Sequence, residues 1–186
     1  MPMLVIWITG TLWAGKGTIV QHLVEKYNFQ HLSVREFLTE EIKKRKMPVN
    51  RDSMTIVAND IRKKFWPESI TDSLYEKAKN SGKNTIIESI RAVWEVVSLR
   101  NKGFFYLFAI DADPRIRYDR IITRWSETDN VSFPEFMMNE TREMSSNDPN
   151  NQNIARCMEM ADYVFLNDWT IENLKKQLDQ VMDDLT

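Results

Sequence analysis

Short apolar runs alternate with longer amphipathic stretches along this chain. Runs rich in β-branched and aromatic residues predict buried strands at 4–8, 85–88, 104–110 and within 161–166, and a brief strand near 30–32. Apolar positions three or four residues apart predict helices after residue 18 and over 33–46, 51–65, 68–80, 114–123, 133–144 and 171–185. This alternation predicts parallel β-α-β units with right-handed crossovers, and therefore one α/β domain over 1–186.

Polar residues mark the ends of several predicted helices. Ser33 with Glu36 has the pattern of a capping box at the start of the 33–46 helix. Pro48 blocks the continuation of that helix, since proline lacks the backbone N–H that the helix needs. Ser132 is the expected cap of the 133–144 helix, and the polar segments 126–131 and 145–151 on either side of that helix predict loops.

The turn after the first strand carries the strongest chemical signal. The segment GTLWAGKGT at 10–18 matches the GxxxxGK pattern, with Thr18 one place beyond the usual hydroxyl position. Small residues and positive φ angles let successive N–H groups curl around phosphate oxygens, and the following helix directs its positive end at the same anion. Lys16 adds a point charge for the β- and γ-phosphates, and the Thr18 hydroxyl is a candidate Mg²⁺ ligand. The pattern predicts ATP or GTP binding by Gly10, Thr11, Trp13, Ala14, Gly15, Lys16, Gly17 and Thr18.

Composition and charge narrow the classes of function. Of 186 residues, 42% are hydrophobic and 28% charged, as in an ordinary globular protein. The formal net charge of −2 offers no basic surface for duplex nucleic acid, and no apolar run reaches the roughly 18 residues of a membrane span. Cys157 is the only cysteine, which excludes an intrachain disulfide and a cysteine zinc cluster. The N-terminus lacks the basic segment and cleavage site of a signal peptide, so we expect a cytoplasmic protein without nucleic-acid or membrane partners.

The GKGT variant of the loop, with a strand before it, resembles the nucleoside monophosphate kinase group of P-loop proteins, which includes adenylate kinases. The resemblance continues over most of the chain. The segment HLS at 31–33 is similar to the lead into the group's acceptor-binding helices, and IESIR at 87–91 to its acidic-to-arginine motif. Arg120 and Arg124 resemble the paired arginines that flank the lid. The segment ADYV at 161–164, with Asn167, resembles the strand and loop that pack the donor base, also typical of dephospho-CoA kinases.

The resemblance implies a three-layer α/β/α fold with a five-stranded parallel sheet, an acceptor-binding insertion at about 34–82 and a lid at about 125–150. It implies that Arg91 grips the acceptor phosphate, that Arg120 and Arg124 stabilise transition-state charge together with Lys16, and that Asn167 packs against the donor base. Arginine suits these roles because its planar fork binds phosphate bidentately and keeps its charge.

Other candidate residues follow from position along the chain. Glu88, at the end of a predicted strand, is expected to orient Mg²⁺-bound water or to contact the acceptor. Arg35 is a candidate acceptor-site cation. Arg117 shares a helix face with the two lid arginines, either as a further phosphate ligand or on a solvated surface. His31 is interpreted as structural, because no nearby carboxylate in the sequence marks it as a base, and Asp111 as a cap of the following helix.

The class of acceptor is predicted from a missing carboxylate. A hydroxyl acceptor loses a proton on phosphorylation, so enzymes that use one usually place a carboxylate as base, whereas a monophosphate is already anionic. Dephospho-CoA kinases carry an acidic motif after the second strand, where this chain reads LSVR at 32–35. This departure favours a (deoxy)nucleoside monophosphate acceptor, although Glu36 or Glu88 can substitute. The alternatives are phosphorylation of a hydroxyl, as in dephospho-CoA kinases, and a P-loop ATPase or switch module without a small-molecule acceptor.

Six tryptophans against five glycines are unusual, because glycine ordinarily supplies about 7% of residues. Trp13 lies inside the phosphate loop, where the family usually shows glycine and where the backbone must approach the ligand closely. As far as the resemblance can be followed, Trp7, Trp94, Trp125 and Trp169 also occupy glycine positions. We interpret several of them as glycine codons read as tryptophan, as when a reassigned UGA codon is translated under the wrong table. The alternative is genuine tryptophan usage, with Trp13 covering the nucleotide; UGG at these codons in the gene would establish it.

Overall fold

The computed structural model of the protein describes residues 3–65, 68–88, 90–103, 105–124, 132–145 and 152–185; at 51, 52, 55, 59, 62 and 124 it describes the backbone alone. In chain order the elements are β1 (Val5–Gly10), α1 (Lys16–Tyr27), β2 (Gln30–Ser33), α2 (Val34–Lys44), α3 (Arg51–Lys64), α4 (Ser69–Ser81), β3 (Thr85–Glu88), α5 (Val93–Lys102), β4 (Tyr106–Asp111), α6 (Pro114–Arg124), α7 (Phe133–Met144), α8 (Ile154–Glu159), β5 (Tyr163–Leu166) and α9 (Ile171–Leu185).

The five strands form one parallel sheet in the order β2-β3-β1-β4-β5. Helices α1 and α9 pack on one face, and α4, α5 and α8 pack on the other. The predicted three-layer fold with a five-stranded parallel sheet is therefore confirmed. Because β1 lies between β3 and β4, the strand order reverses at its carboxyl end, which is where open α/β sheets bind ligands.

The central strand β1 is buried on both faces, as its unbroken apolar sequence predicts. Ile6 and Ile8 belong to the apolar cluster with α1 and α9, whereas Trp7 belongs to the cluster on the opposite face. The edge strand β5 instead alternates, with Phe165 buried and Val164 exposed. The turn after β1 therefore follows a strand that is packed on both faces.

The sequence pattern missed α5 and α8. Helix α5 begins after Ala92, which has no polar side chain to mark a helix start; the Glu95 carboxylate instead accepts from the backbone N–H groups of Arg91 and Ala92 at 2.9 and 3.0 Å. Helix α8 has only six residues, too few for a periodic pattern. The predicted caps are observed, since the Ser33 and Ser132 hydroxyls accept from the backbone N–H groups of Glu36 and Glu135.

The predicted acceptor-binding insertion and lid are only partly described. Helices α2, α3 and α4 within the insertion share an apolar cluster that includes Leu38, Val57 and Ile70. Of the predicted lid, α7 is described, whereas 125–131 and 146–150 lie outside the described residues, as do most of the loops predicted at 126–131 and 145–151. The boundaries of both segments stay predictions. Over the described ranges, no helix combines the length and the apolar character needed to cross a bilayer.

Replacing Gly10 by alanine should destabilise the fold at the end of β1. Gly10 has φ 137°, and a Cβ there would lie 2.1 Å from the Ile110 carbonyl oxygen of β4, which is backbone and cannot move aside. We expect Gly10→Ala to lower the free energy of unfolding by about 3 kcal/mol in urea titrations. Gly17→Ala is the matched control, because a Cβ at Gly17 meets nothing within 4 Å. Equal effects of the two substitutions would contradict this account.

Candidate functional site

The turn after β1 has the conformation that a phosphate loop requires. Gly10 and Gly15 have φ angles of 137° and 112°, and Trp13 has a φ of 64°. Lys16, the first residue of α1, folds its side chain back into the turn, where Nζ donates to the carbonyl oxygens of Gly10 at 2.9 Å and Thr11 at 2.6 Å. The loop and its lysine are therefore brought together as the sequence predicts.

Two neighbouring elements fix the position of this loop. The Thr11 hydroxyl donates to Asp111 Oδ1 at 2.7 Å, which joins the loop to the end of β4. The Asn167 side chain, after β5, is buried and donates through Nδ2 to the Ala14 carbonyl at 2.7 Å. A Cβ on Gly15 would lie 2.4 Å from that same Nδ2 atom, so only glycine leaves room for it. Asn167 thus contacts the loop itself, and its proposed contact with the donor base stays a prediction.

Arg120 on α6 lies beside the loop. Its guanidinium donates to the Trp13 carbonyl at 3.3 Å and to the Asn167 carbonyl at 2.6 Å, so it joins the phosphate loop to the turn after β5. A shallow pocket along α6 borders it, lined by Ile116, Asp119, Arg120 and Thr123. The side chain of Arg124 is outside the described residues.

Arg117 is neither on a solvated surface nor open to a ligand. Its side chain is 2% exposed, and its guanidinium pairs with both carboxylate oxygens of Glu140 on α7. It also donates to the carbonyl oxygens of Ala112 at 2.7 Å and Leu12 at 3.3 Å. The solvated-surface interpretation of Arg117 is therefore wrong, because Glu140 of α7 and two backbone carbonyl groups enclose its guanidinium.

A second group of polar side chains lies at the ends of β2 and β3. The Ser33 hydroxyl donates to Glu88 Oε1 at 3.0 Å, and His31 Nε2 lies 3.6 Å from the same oxygen. His31, with Ser33, holds the pKa of Glu88 below its ordinary value, and Glu88 raises the pKa of His31. The carboxylate beside His31 comes from the neighbouring strand, 57 residues away in sequence, so the local sequence carries no signal of it; the structural interpretation of His31 stays a prediction.

Arg91 follows β3 at the same edge of the sheet. Its guanidinium donates to Glu143 Oε2 on α7 at 2.8 Å and to Gln152 Oε1 at 3.4 Å. Arg35 is exposed in the first turn of α2, two residues after Ser33. Its role as an acceptor-site cation stays a prediction.

Burial and neighbouring charged side chains act on Lys16. Burial, with a smaller contribution from the neighbouring cation Arg91, lowers the pKa of its ammonium group from 10.5 to about 8, while Glu143 and Glu88 partly oppose the shift. At pH 7 the ammonium therefore stays mostly protonated, although its protonated form is less favourable than in water. An anion bound in the loop would relieve this cost, so the site favours a negatively charged ligand.

Sequence reasoning missed the two carboxylates of α7, Glu140 and Glu143. They lie one helical turn apart, and each pairs with an arginine from a different element. No local signal identifies them, because their partners are 23 and 52 residues away in the chain. Two acidic residues with i, i+3 spacing indicate only that both lie on the same face of a helix.

The parallel sheet and the lysine-bearing loop define a P-loop protein of the kinase-like class. A family model described as an AAA domain matches residues 10–132, and the chain belongs to that family. A UPF0200 protein of Methanocaldococcus jannaschii is 27% identical over 186 residues, which cover 98% of this chain and 91% of that protein. A UPF0200 protein of Methanococcus vannielii is 29% identical over 188 residues, which cover 97% of each chain.

Solved structures of kinases share the fold. A shikimate kinase from Bacteroides thetaiotaomicron matches with a TM-score of 0.68 at 16% identity, over 97% of this chain and 99% of that one. A dephospho-CoA kinase from Campylobacter jejuni matches with a TM-score of 0.57 at 13% identity, over 100% and 99%. At these identities the likeness concerns the fold alone, and it confirms the P-loop kinase-like fold that the sequence predicts.

Breaking the Arg117–Glu140 pair should destabilise the protein strongly. Glu140→Gln leaves a buried guanidinium without its counter-charge, so we expect the free energy of unfolding to fall by about 3 kcal/mol. Glu159→Gln is the matched control, because Glu159 pairs with Arg156 on the surface of α8 and should change stability by less than about 0.5 kcal/mol. Urea titration measures both variants, and similar values for the two would contradict the structural role of Arg117.

Trp13 offers a test of the two interpretations of the tryptophans. A non-glycine residue with φ near +60° costs roughly 1 kcal/mol, so Trp13→Gly should raise the free energy of unfolding by about that amount if the position suits glycine. Trp169→Gly is the control, since Trp169 is 64% exposed and its φ is not positive. MgATP affinity is measured alongside: a loss of affinity in Trp13→Gly would favour a genuine tryptophan that covers the nucleotide.

Proposed function

We propose that this protein is a phosphotransferase that moves the γ-phosphoryl group of ATP onto a (deoxy)nucleoside monophosphate. The observation that carries the proposal is the proximity of two cations from separate elements, Lys16 in the loop after β1 and Arg91 after β3. They lie close enough for Arg91 to lower the pKa of Lys16. Two cations close enough to affect each other's charge suit a pair of phosphate groups, one from each substrate.

The donor phosphates would be bound by the loop itself. Backbone N–H groups of Gly10–Thr18 and the N-terminus of α1 would face the donor phosphates, and such donors favour a polyphosphate. Mg²⁺ usually takes one or two protein oxygens and completes its shell with phosphate oxygens and water. The Thr18 hydroxyl, in the first turn of α1, fits the first role, and Glu88 fits the orientation of bound water. When bound, the ion neutralises charge on the transferring group.

The protein's own contribution to phosphoryl transfer is position and charge. Lys16 would stabilise the oxygens of the transferring group, together with Arg120 and, as the resemblance implies, Arg124. Arg120 already contacts the loop through the Trp13 carbonyl. Preorganised donors of this kind require no covalent intermediate, which is why the site needs no nucleophilic side chain.

The electrostatics of Glu88 support a monophosphate acceptor. Its carboxylate is held by Ser33 and His31, and its pKa lies below the ordinary value. A carboxylate stabilised in its charged form is a poor acceptor for the proton of an alcohol. A nucleoside monophosphate is already anionic and needs no base, and Arg91, with Arg35 as a further candidate, would bind its phosphate.

A hydroxyl acceptor is the second candidate function, and one observation favours it. Glu88 acts on the Lys16 ammonium from the ends of β2 and β3, the edge of the sheet where an acceptor would lie. A hydroxyl placed against Glu88 could transfer its proton there if substrate binding weakened the contacts with His31 and Ser33. The named functions of the two kinases that share the fold are compatible with this second candidate.

An ATP-consumption assay distinguishes these functions. All ribo- and deoxynucleoside monophosphates and dephospho-CoA are offered separately with MgATP. Turnover with a monophosphate supports the proposal, and turnover with dephospho-CoA alone supports the hydroxyl candidate. Steady hydrolysis that no acceptor accelerates would overturn both and favour an ATPase or switch module.

Substitution of the two cations should separate donor from acceptor. Lys16→Met should abolish turnover, because nothing else in the loop carries a full positive charge. Arg91→Gln should raise the acceptor KM by roughly 10- to 100-fold, because it removes a charge-assisted hydrogen bond to the acceptor phosphate. The affinity for MgATP should change little. Arg100→Gln is the control, since Arg100 is similarly exposed but pairs with Asp162. Loss of ATP affinity alone in Arg91→Gln would contradict the acceptor role.

A further inference from the structure

Helix α7 is held to the rest of the protein by two carboxylate–arginine pairs that differ in burial. Glu140 and Arg117 are nearly enclosed, with side chains 11% and 2% exposed. Glu143 and Arg91, one helical turn further along, are 27% and 37% exposed. Breaking a buried pair leaves a buried charge without its counter-charge, which is costly. An exposed pair exchanges its partners readily, because water solvates both groups. Only the second contact is therefore easily released.

The N-terminal part of α7 has an apolar attachment of its own. Phe136 is buried, and its ring lies 5.8 Å from that of Tyr118 on α6; Phe133 lies 5.2 Å from the same ring. Together with Glu140, these rings anchor the first two turns of the helix. The last turn, which carries Glu143, contacts the site through Arg91, and α7 also packs against α8.

Glu143 occupies the position where an anionic ligand of this site would be expected. Its carboxylate binds Arg91 directly and also acts on Lys16, where it opposes the repulsion between the two cations. A carboxylate so placed does what a bound phosphate would do, but with a single charge. A phosphate ester carries nearly two charges at pH 7 and offers three acceptor oxygens. A dianion should therefore displace Glu143, whereas a monoanion gains little by doing so.

From these contacts we propose that Glu143 is a built-in competitor for the anion-binding position at Arg91. In the absence of an acceptor it pairs with Arg91 and holds the last turn of α7 over the site; a dianionic phosphate displaces it and releases that turn. The contact makes the position selective for dianions and couples acceptor binding to movement of α7. The inference rests on the proposed role of Arg91, but it does not require that the protein transfer a phosphoryl group.

Inorganic phosphate is the probe for the competition. Its dissociation constant is measured by calorimetry at pH 7.5 for the wild type, Glu143→Gln and the control Glu41→Gln. Glu41 is 26% exposed and pairs with a single cation, Lys44, so the two substitutions remove the same group from matched settings. We expect Glu143→Gln to bind phosphate about fivefold more tightly than the wild type, because phosphate no longer has to break one exposed ion pair. Glu41→Gln should bind phosphate as the wild type does.

Phosphate could also bind in the loop around Lys16. The proposal therefore requires that the gain in phosphate affinity of Glu143→Gln depend on Arg91. In an Arg91→Gln background, the further change Glu143→Gln should leave phosphate affinity unaltered. A gain that persists in that background would overturn the proposal. So would wild-type affinity in Glu143→Gln alone, or an absence of phosphate binding in every variant.

Release of the helix is measured separately, by hydrogen exchange of the amides at 141–145. Phosphate should accelerate their exchange in the wild type, whereas in Glu143→Gln they should exchange fast without it. Amides near Phe136 should not respond in either protein. Protection of 141–145 by phosphate would overturn the proposed displacement. None of these measurements depends on turnover, so failure of the acceptor assay and failure of this proposal remain distinguishable.

Discussion

The structure depends on the close approach of the phosphate loop to the strand and turn behind it. At Gly10 the loop backbone meets the β4 backbone, and at Gly15 it meets the amide of Asn167, with no space at either point for a Cβ atom. These two contacts hold the turn in positive-φ conformations at Gly10 and Gly15. Lys16 can then fold its ammonium into the turn, which is the basis of the proposed binding of the donor phosphates.

Charge balance around this loop explains why α7 lies where it does. Arg91 and Arg117 both act on Lys16, and like charges at short range are unfavourable unless counter-charges intervene. Glu88 comes from β3, and Glu140 and Glu143 come from α7. The same carboxylates that relieve repulsion therefore attach a helix from a distant part of the chain. A phosphate at this position would add negative charge and change that balance.

Some features could be predicted because their cause is local in sequence. β1, the loop and α1 follow one another directly, and a buried run, a glycine pattern and a periodic helix each leave a signal within about ten residues. The bounds of α7 and α9 were predicted to the residue for the same reason, since both are strongly amphipathic. Helix α5 was missed because its start lacks a polar cap, and α8 because it is too short.

The sequence alone determined the α/β class, the parallel β-α-β order and the phosphate loop with its lysine. Only the tertiary structure decided the partners of the charged residues: that Arg117 is buried against Glu140, that His31 lies beside Glu88, and that Glu143 binds Arg91. The physical reason is that backbone periodicity and turn chemistry act between neighbours in sequence. Charge pairing acts through space, and the packing of distant elements sets which charges meet.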